Sequence, residues 1–281
     1  MNHKSEKVMQ AVFFLTACIS IVSVLLICIF LFSNGLPAIK EIGIIKFLFG
    51  EVWRPSSNEF GILPMIVGSL YVTLGALVIG VPIGILTAVF MAYFCPNKLY
   101  KPLKAGINLM AGIPSVVYGF FGLVVLVPFV RDYIGGYGMG VLTAAILLGI
   151  MILPTIVSVS ETAIRAVPHH YYEGGLALGA SHEGSIFFVV LPAAKRGLLA
   201  AIILGLGRAV GETMAVIMVA GNQAILPKAL TSGVRTLTTN IVMEMGYSTG
   251  LHREALIGTA VVLFIFVLII NICFSLLHKE E

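Results

Sequence analysis

Charge is what this 281-residue sequence has least of: Asp, Glu, Lys and Arg make up 11% of it, where a soluble domain carries about 25%. Together with 59% hydrophobic residues and a mean hydropathy of +1.05, this scarcity excludes a water-soluble globular protein. No Lys/Arg block occurs and the net charge is only +4, so the electrostatic footprint of a nucleic-acid binder is missing. Cysteine is sparse as well. Cys18, Cys28 and Cys273 lie inside apolar runs and Cys95 stands alone after one. No spacing suits a disulfide framework or a zinc site, and the four read as small hydrophobes. The apolar runs lack the period-two alternation of a transmembrane β-strand. Finally, no G-x-x-x-x-G-K-S/T loop is present, so the chain has no phosphate cradle with which to hydrolyse ATP by itself.

What the sequence does have is apolar length, with 30 Gly and 12 Pro spread through it, a composition suited to membrane helices packing through small residues. A hydrocarbon core of about 30 Å needs about 20 residues per helix. Six stretches qualify: Val12–Phe32, Ile62–Phe94, Ile107–Val130, Met139–Val159, Leu198–Ala220 and Leu256–Leu277. The first is longer than a signal peptide's apolar core of about 7–15 residues, and Ser33-Asn34-Gly35 is a poor cleavage site, so it reads as a retained helix.

The expected layout is a terminus at 1–9, a first span at 10–32, a segment on the far side at 33–61, a transmembrane domain at 62–277 and a second terminus at 278–281. The segment 33–61 is too polar to span and reads as an amphipathic surface helix. Basic residues number nine on the side of the termini against seven on the other. That bias puts both termini in the cytoplasm, with Lys98, Lys101 and Lys104 as the compact witness.

The largest polar insertion, 160–197, contains Glu173-Gly174-Gly175-Leu176-Ala177-Leu178-Gly179, followed after nine residues by Val189-Val190-Leu191-Pro192. This spacing resembles the cytoplasmic EAA loop of ABC importer permeases, E-A-A-x3-G-x9-I-x-L-P. There a short helix, a turn at the glycine and a second segment dock into the ATPase subunit. Gly174 and Gly175 stand where that pattern has alanines, at about 1 kcal/mol each in helix propensity. Leu176, Ala177 and Ala180 would form the apolar face, and Gly179 the turn.

Further along the chain lie Trp53-Arg54-Pro55, Phe60-Gly61-Ile62-Leu63-Pro64, Gly68-Ser69-Leu70, Gly112-Ile113-Pro114-Ser115 and Gly205-Leu206-Gly207-Arg208-Ala209-Val210-Gly211-Glu212-Thr213-Met214. These, with Thr236-Leu237-Thr238 and Glu244-Met245-Gly246, are similar to the phosphate-uptake permeases of the PstC type. The resemblance implies an all-α integral membrane chain of six transmembrane helices with the type I ABC importer permease fold. It implies as partners a PstA-type permease subunit, two copies of a cytoplasmic ATPase and an extracytoplasmic phosphate-binding protein, in a prokaryotic inner membrane. Phosphate and membrane lipid are the expected ligands. ATP and magnesium belong on the ATPase, leaving this chain no cofactor, no metal and no catalytic residue.

Arg208 and Glu212 are the ionisable residues inside an expected span, where by default they face the protein interior or a water-filled path. Their i,i+4 spacing puts both on one helix face, able to neutralise each other. A guanidinium fork also matches phosphate oxygens, so the residues are candidates for the substrate pathway. His169-His170, Tyr171-Tyr172 and His182-Glu183 lack metal-site spacing and read as loop surface. The Gly136, Gly138 and Gly140 run reads as a connecting turn. A sulfate or molybdate permease is the nearest alternative. A proton-coupled carrier titrating Glu212 is less favoured, because one acid beside a permanent cation makes a poor proton relay. A membrane hydrolase lacks a nucleophile–base pair.

Overall fold

The computed structural model describes residues 3–279, with side chains described over 9–272. Met1, Asn2, Glu280 and Glu281 lie outside, as do the side chains of Lys4, Lys7, Cys273 and Lys279. The expected terminal segments 1–9 and 278–281 therefore fall mostly outside the residues whose side chains are described.

Helix α1 (His3–Ile42) runs well past its expected end, so the first part of the segment 33–61 is a continuation of the span. What remains is a short α2 (Ile44–Phe49) and a hairpin of β1 (Trp53–Arg54) and β2 (Glu59–Phe60), pairing Trp53 with Phe60. The amphipathic surface helix expected there does not form. Helix α3 (Leu63–Val89), continued by a π-helical turn to Phe94, makes the second crossing.

The third expected span, Ile107–Val130, is divided. Helix α4 (Asn97–Gly112) stops at Ile113, whose ψ of 126° is extended, and α5 (Ser115–Phe121) starts after Pro114. The proline ring disfavours the helical region for the residue before it, which ends α4. The crossing is then α5, a π-helical turn and α6 (Val127–Tyr133). Helix α4 buries no residue within the chain, in keeping with a surface helix beside the bundle. Gly136, Gly138 and Gly140 form the turn that leads to α7 (Val141–Arg165), as the sequence suggested.

After α7 come α8 (His169–Ala177), α9 (His182–Ser185), a π-helical turn, α10 (Leu191–Ala193) and α11 (Lys195–Gly211). The fifth expected span, Leu198–Ala220, is also broken, because α11 ends at Gly211 and α12 (Met214–Val219) is separate. Helix α13 (Leu237–Met245) lies within the polar stretch 222–254, and α14 (Gly250–Lys279) closes the chain. Among the described residues five helices are long and apolar enough to cross a membrane, and a sixth crossing results if the pair His182–Ala193 and Lys195–Gly211, bent by 70°, counts as one span.

The centre of the bundle is α3 against α7. A Cβ at Gly75 would come within 2.7 Å of Ala145, and one at Gly84 within 2.6 Å of Ile156. Small residues here let two membrane helices approach closely, the device that replaces hydrophobic driving force in lipid. Leu147, Leu148, Met151, Ile152 and Ile156 of α7 are buried in this core, joined by α12 residues Ala215, Val216 and Val219. Among the described residues helix α1 packs on α14 near its far end, where Phe32 meets Phe264 edge to face, and its stretch from Met9 to Phe30 leaves most large side chains exposed.

Candidate functional site

Arg208 lies in the last turn of α11, half-buried, and its Nη1 donates a 3.3 Å hydrogen bond to Thr155 Oγ1 of α7. Among the described residues no carboxylate lies within ion-pair distance of it. The expected Arg208–Glu212 pair does not form, since the helix on which the spacing relied ends at Gly211. Glu212 is extended at φ −71°, ψ 127°, and its Oε1 accepts the N–H groups of Thr213 and Ala215, both at 3.1 Å. The carboxylate thus satisfies donors that open the α12 helix and would otherwise be orphaned. Gly207 and Gly211 are weak helix formers, which makes the stop inexpensive.

Among the described residues Arg208 is therefore a cation with little compensation. A position near a helix C-terminus contributes about 0.3–1 kcal/mol and a neutral hydrogen bond about 1 kcal/mol.

Around Glu212 the fold gathers hydroxyls that the sequence reading did not single out. Ser69 and Thr73 on α3 and Thr236 and Thr238 at the start of α13 line a small cleft together with Glu212. Thr238 Oγ1 donates to the Glu212 carbonyl at 3.2 Å, and Thr236 caps α13 through reciprocal bonds with Thr239. The signal was present in Gly68-Ser69-Leu70 and Thr236-Leu237-Thr238, but only the fold shows that these segments meet.

The second candidate region is the 160–197 insertion, which is a helix, a turn and a second helical segment as expected. Helix α8 runs unbroken through Gly174 and Gly175, so the two glycines do not spoil its regularity. A Cβ at Gly174 would meet nothing, whereas at Gly175 it would come within 2.7 Å of Ser185 Oγ, where α8 packs on α9. Gly179 takes φ +88°, the left-handed turn that glycine adopts without strain. Glu173 is exposed and lies 3.6 Å from His169. Leu176, Leu178 and Phe188 expose apolar surface, Leu178 by 92%. Ala177 and Ala180 are exposed too, so the apolar face is unpartnered within the chain. Leu191 and Pro192 begin α10, which leads into α11.

The loop is fastened to the membrane helices by aromatic residues. Tyr172 Oη bonds His182 Nδ1 at 2.7 Å, His182 packs against Phe94, and Tyr172 against Tyr93. His169, His170 and Tyr171 stay on the surface.

Residues 80–279 match the family described as "Binding-protein-dependent transport system inner membrane component". The "Probable ABC transporter permease protein YqgH" of Bacillus subtilis is 41% identical over 91% of this chain and 87% of its own length. The "Phosphate transport system permease protein PstC" of Mesorhizobium japonicum is 33% identical over 87% of this chain and 81% of its own. Among solved structures, a bacterial ABC transporter importing alginate superposes with a TM-score of 0.61 at 14% identity, covering 95% of this chain and 96% of that one, which shows the shared fold. The match over most of the chain, on a helical bundle carrying an exposed helix–turn–helix loop, makes this protein a member of the binding-protein-dependent ABC importer permeases.

Proposed function

We propose that this chain is the PstC-type membrane subunit of an ATP-driven phosphate importer and forms half of the translocation route beside a PstA-type permease. The observation that carries the reading is Arg208, a guanidinium within an apolar stretch that has no carboxylate partner among the described residues. Its planar fork matches phosphate oxygens bidentately. Relatives bearing phosphate-transport names support the choice of oxyanion. Glu212, which caps α12, lies on the same route.

Two copies of a cytoplasmic ATPase would bind the loop from Glu173 to Pro192, and ATP with magnesium would act there. A phosphate-binding protein would dock at the opposite face, carrying the hairpin 53–60. Both termini then lie in the cytoplasm of a prokaryotic cell and the chain in its inner membrane. Closing of the ATPases would rock the two permeases as rigid bodies. A proton-coupled carrier is disfavoured further, because the proposed titrating group Glu212 is already committed as a helix cap.

The test is reconstitution of the four components in proteoliposomes. ATP-dependent uptake of labelled phosphate, undiminished by excess sulfate or molybdate, is the expected result. Uptake of sulfate or molybdate in place of phosphate would overturn the substrate assignment, and uptake without the ATPase would overturn the mechanism.

A further inference from the structure

Four hydroxyl side chains meet in the cleft between α3 and α13: Ser69, Thr73, Thr236 and Thr238 are 5%, 6%, 5% and 8% exposed. Three of them are used by the fold. Ser69 Oγ accepts the Leu237 N–H at 3.0 Å, Thr236 Oγ1 accepts the Thr239 N–H at 3.3 Å, and Thr238 Oγ1 reaches the Glu212 carbonyl. Thr73 has no hydrogen-bond partner among the described residues. Three other helical threonines bond back to the carbonyl four residues earlier, Thr87 to Ile83, Thr162 to Ser158 and Thr259 to Ala255. Thr73 lines the cleft instead. Glu212 Oε2 also lacks a partner there, since both of its carboxylate bonds fall on Oε1.

Thr73 thus presents to the cleft a hydroxyl that the fold itself does not use. The cleft encloses about 10 Å³, room for one water at most and far too little for a tetrahedral oxyanion. It is closed in this conformation. The bonds that close it, Ser69 to Leu237 and Thr238 to Glu212, each join two separate elements, so movement of α3 relative to α13 would break the first of them and widen the cleft.

We propose that this cleft is the occluded segment of the anion route, and that Thr73 is the first ligand it offers when it opens. A hydroxyl can donate to a phosphate oxygen, while the free oxygen of Glu212 can accept from a P–OH group, so the pair suits an oxyanion that carries a proton. The inference rests on the reading of the chain as a phosphate permease and adds residues to its route.

The test uses the reconstituted importer with Thr73→Val, which keeps the side-chain shape and removes the hydroxyl, and Thr73→Ser, which restores it. Phosphate uptake should fall about tenfold in Thr73→Val, the effect of one hydrogen bond to a charged group, and return to within about twofold in Thr73→Ser. Complex assembly and ATP hydrolysis stimulated by the binding protein should persist in both. Wild-type uptake by Thr73→Val would overturn the proposal, and a loss that Thr73→Ser does not restore would assign Thr73 to packing. A second measurement stands apart from folding of the valine variant. Thr73→Cys should react with a small anionic thiol reagent during ATP turnover and not at rest. Reaction at rest, or none during turnover, would show that the cleft is no gate. If Thr73→Val transports normally while Arg208→Gln does not, the phosphate reading stands and this inference falls.

Discussion

Glu161 and Glu244 each hold three side chains, at opposite ends of the bundle. Glu161 accepts from Tyr100 Oη at 2.7 Å, Lys104 Nζ at 2.7 Å and Arg165 Nε at 3.0 Å, fastening α4 to the end of α7. The hydrogen bond to Glu161 raises the Tyr100 hydroxyl above its ordinary pKa. Lys104, counted from sequence as an orienting charge, is thus also a structural ion-pair partner. Glu161→Gln should lower stability by about 1–3 kcal/mol, the value of hydrogen bonds to a charged group, seen as a lower midpoint of thermal aggregation. An unchanged midpoint would show that the network adds nothing.

At the other end, Glu244 accepts from Trp53 Nε1 at 2.9 Å and Arg235 Nη1 at 2.6 Å, and His252 Nε2 lies at 2.8 Å. Glu244→Ala leaves the mostly buried Arg235 guanidinium without its carboxylate, a loss of about 3–5 kcal/mol. The hairpin 53–60 should loosen, and because Trp53 is the single tryptophan, emission from the purified subunit should shift to the red. Emission at the wild-type wavelength would contradict this. Neither cluster was legible in the sequence, since Trp53 and Glu244 are 191 residues apart and a carboxylate in a polar stretch carries no local mark of its partners. Arg208 was legible as an ionisable residue in an apolar run, but its partner was not.

At the scale of elements, composition revealed the crossings and missed their breaks. The stop at Ile113 had a visible cause in Pro114, which the apolar count overrode. The stop at Gly211 had none as plain, because the cap is supplied by the Glu212 side chain itself. The helix, turn and helix of the 160–197 insertion were implied by the resemblance to the EAA loop, and the turn stands at Gly179. A Cβ there would meet nothing within 4 Å, so substitution acts through backbone conformation alone. Gly179→Ala should cost about 1–2 kcal/mol locally, and the β-branched Gly179→Val more. Membrane insertion should survive in Gly179→Val while ATPase copurification and uptake fall together. Normal copurification would remove this loop as the contact.

For the whole molecule, the reading requires that the two polar ends face opposite compartments. In a variant without native cysteines, Ser57→Cys should react with an impermeant maleimide added to sealed cells, and Glu183→Cys should not. Both positions are exposed on this chain. Outside labelling at 183 would invert the topology and detach the loop from any cytoplasmic ATPase.

The central claim is that Arg208 serves the translocated anion and not a neighbouring carboxylate, and ATP-driven phosphate uptake by the assembled importer tests it most directly. Because Glu212 is no partner of Arg208, the double variant Arg208→Gln with Glu212→Gln should not recover the uptake that Arg208→Gln loses. Both should assemble and hydrolyse ATP when the binding protein is added, with phosphate uptake reduced by tenfold or more, on the order of the 1.4 kcal/mol or more that a charge-assisted contact supplies. Wild-type uptake by a fully assembled double variant would contradict the account.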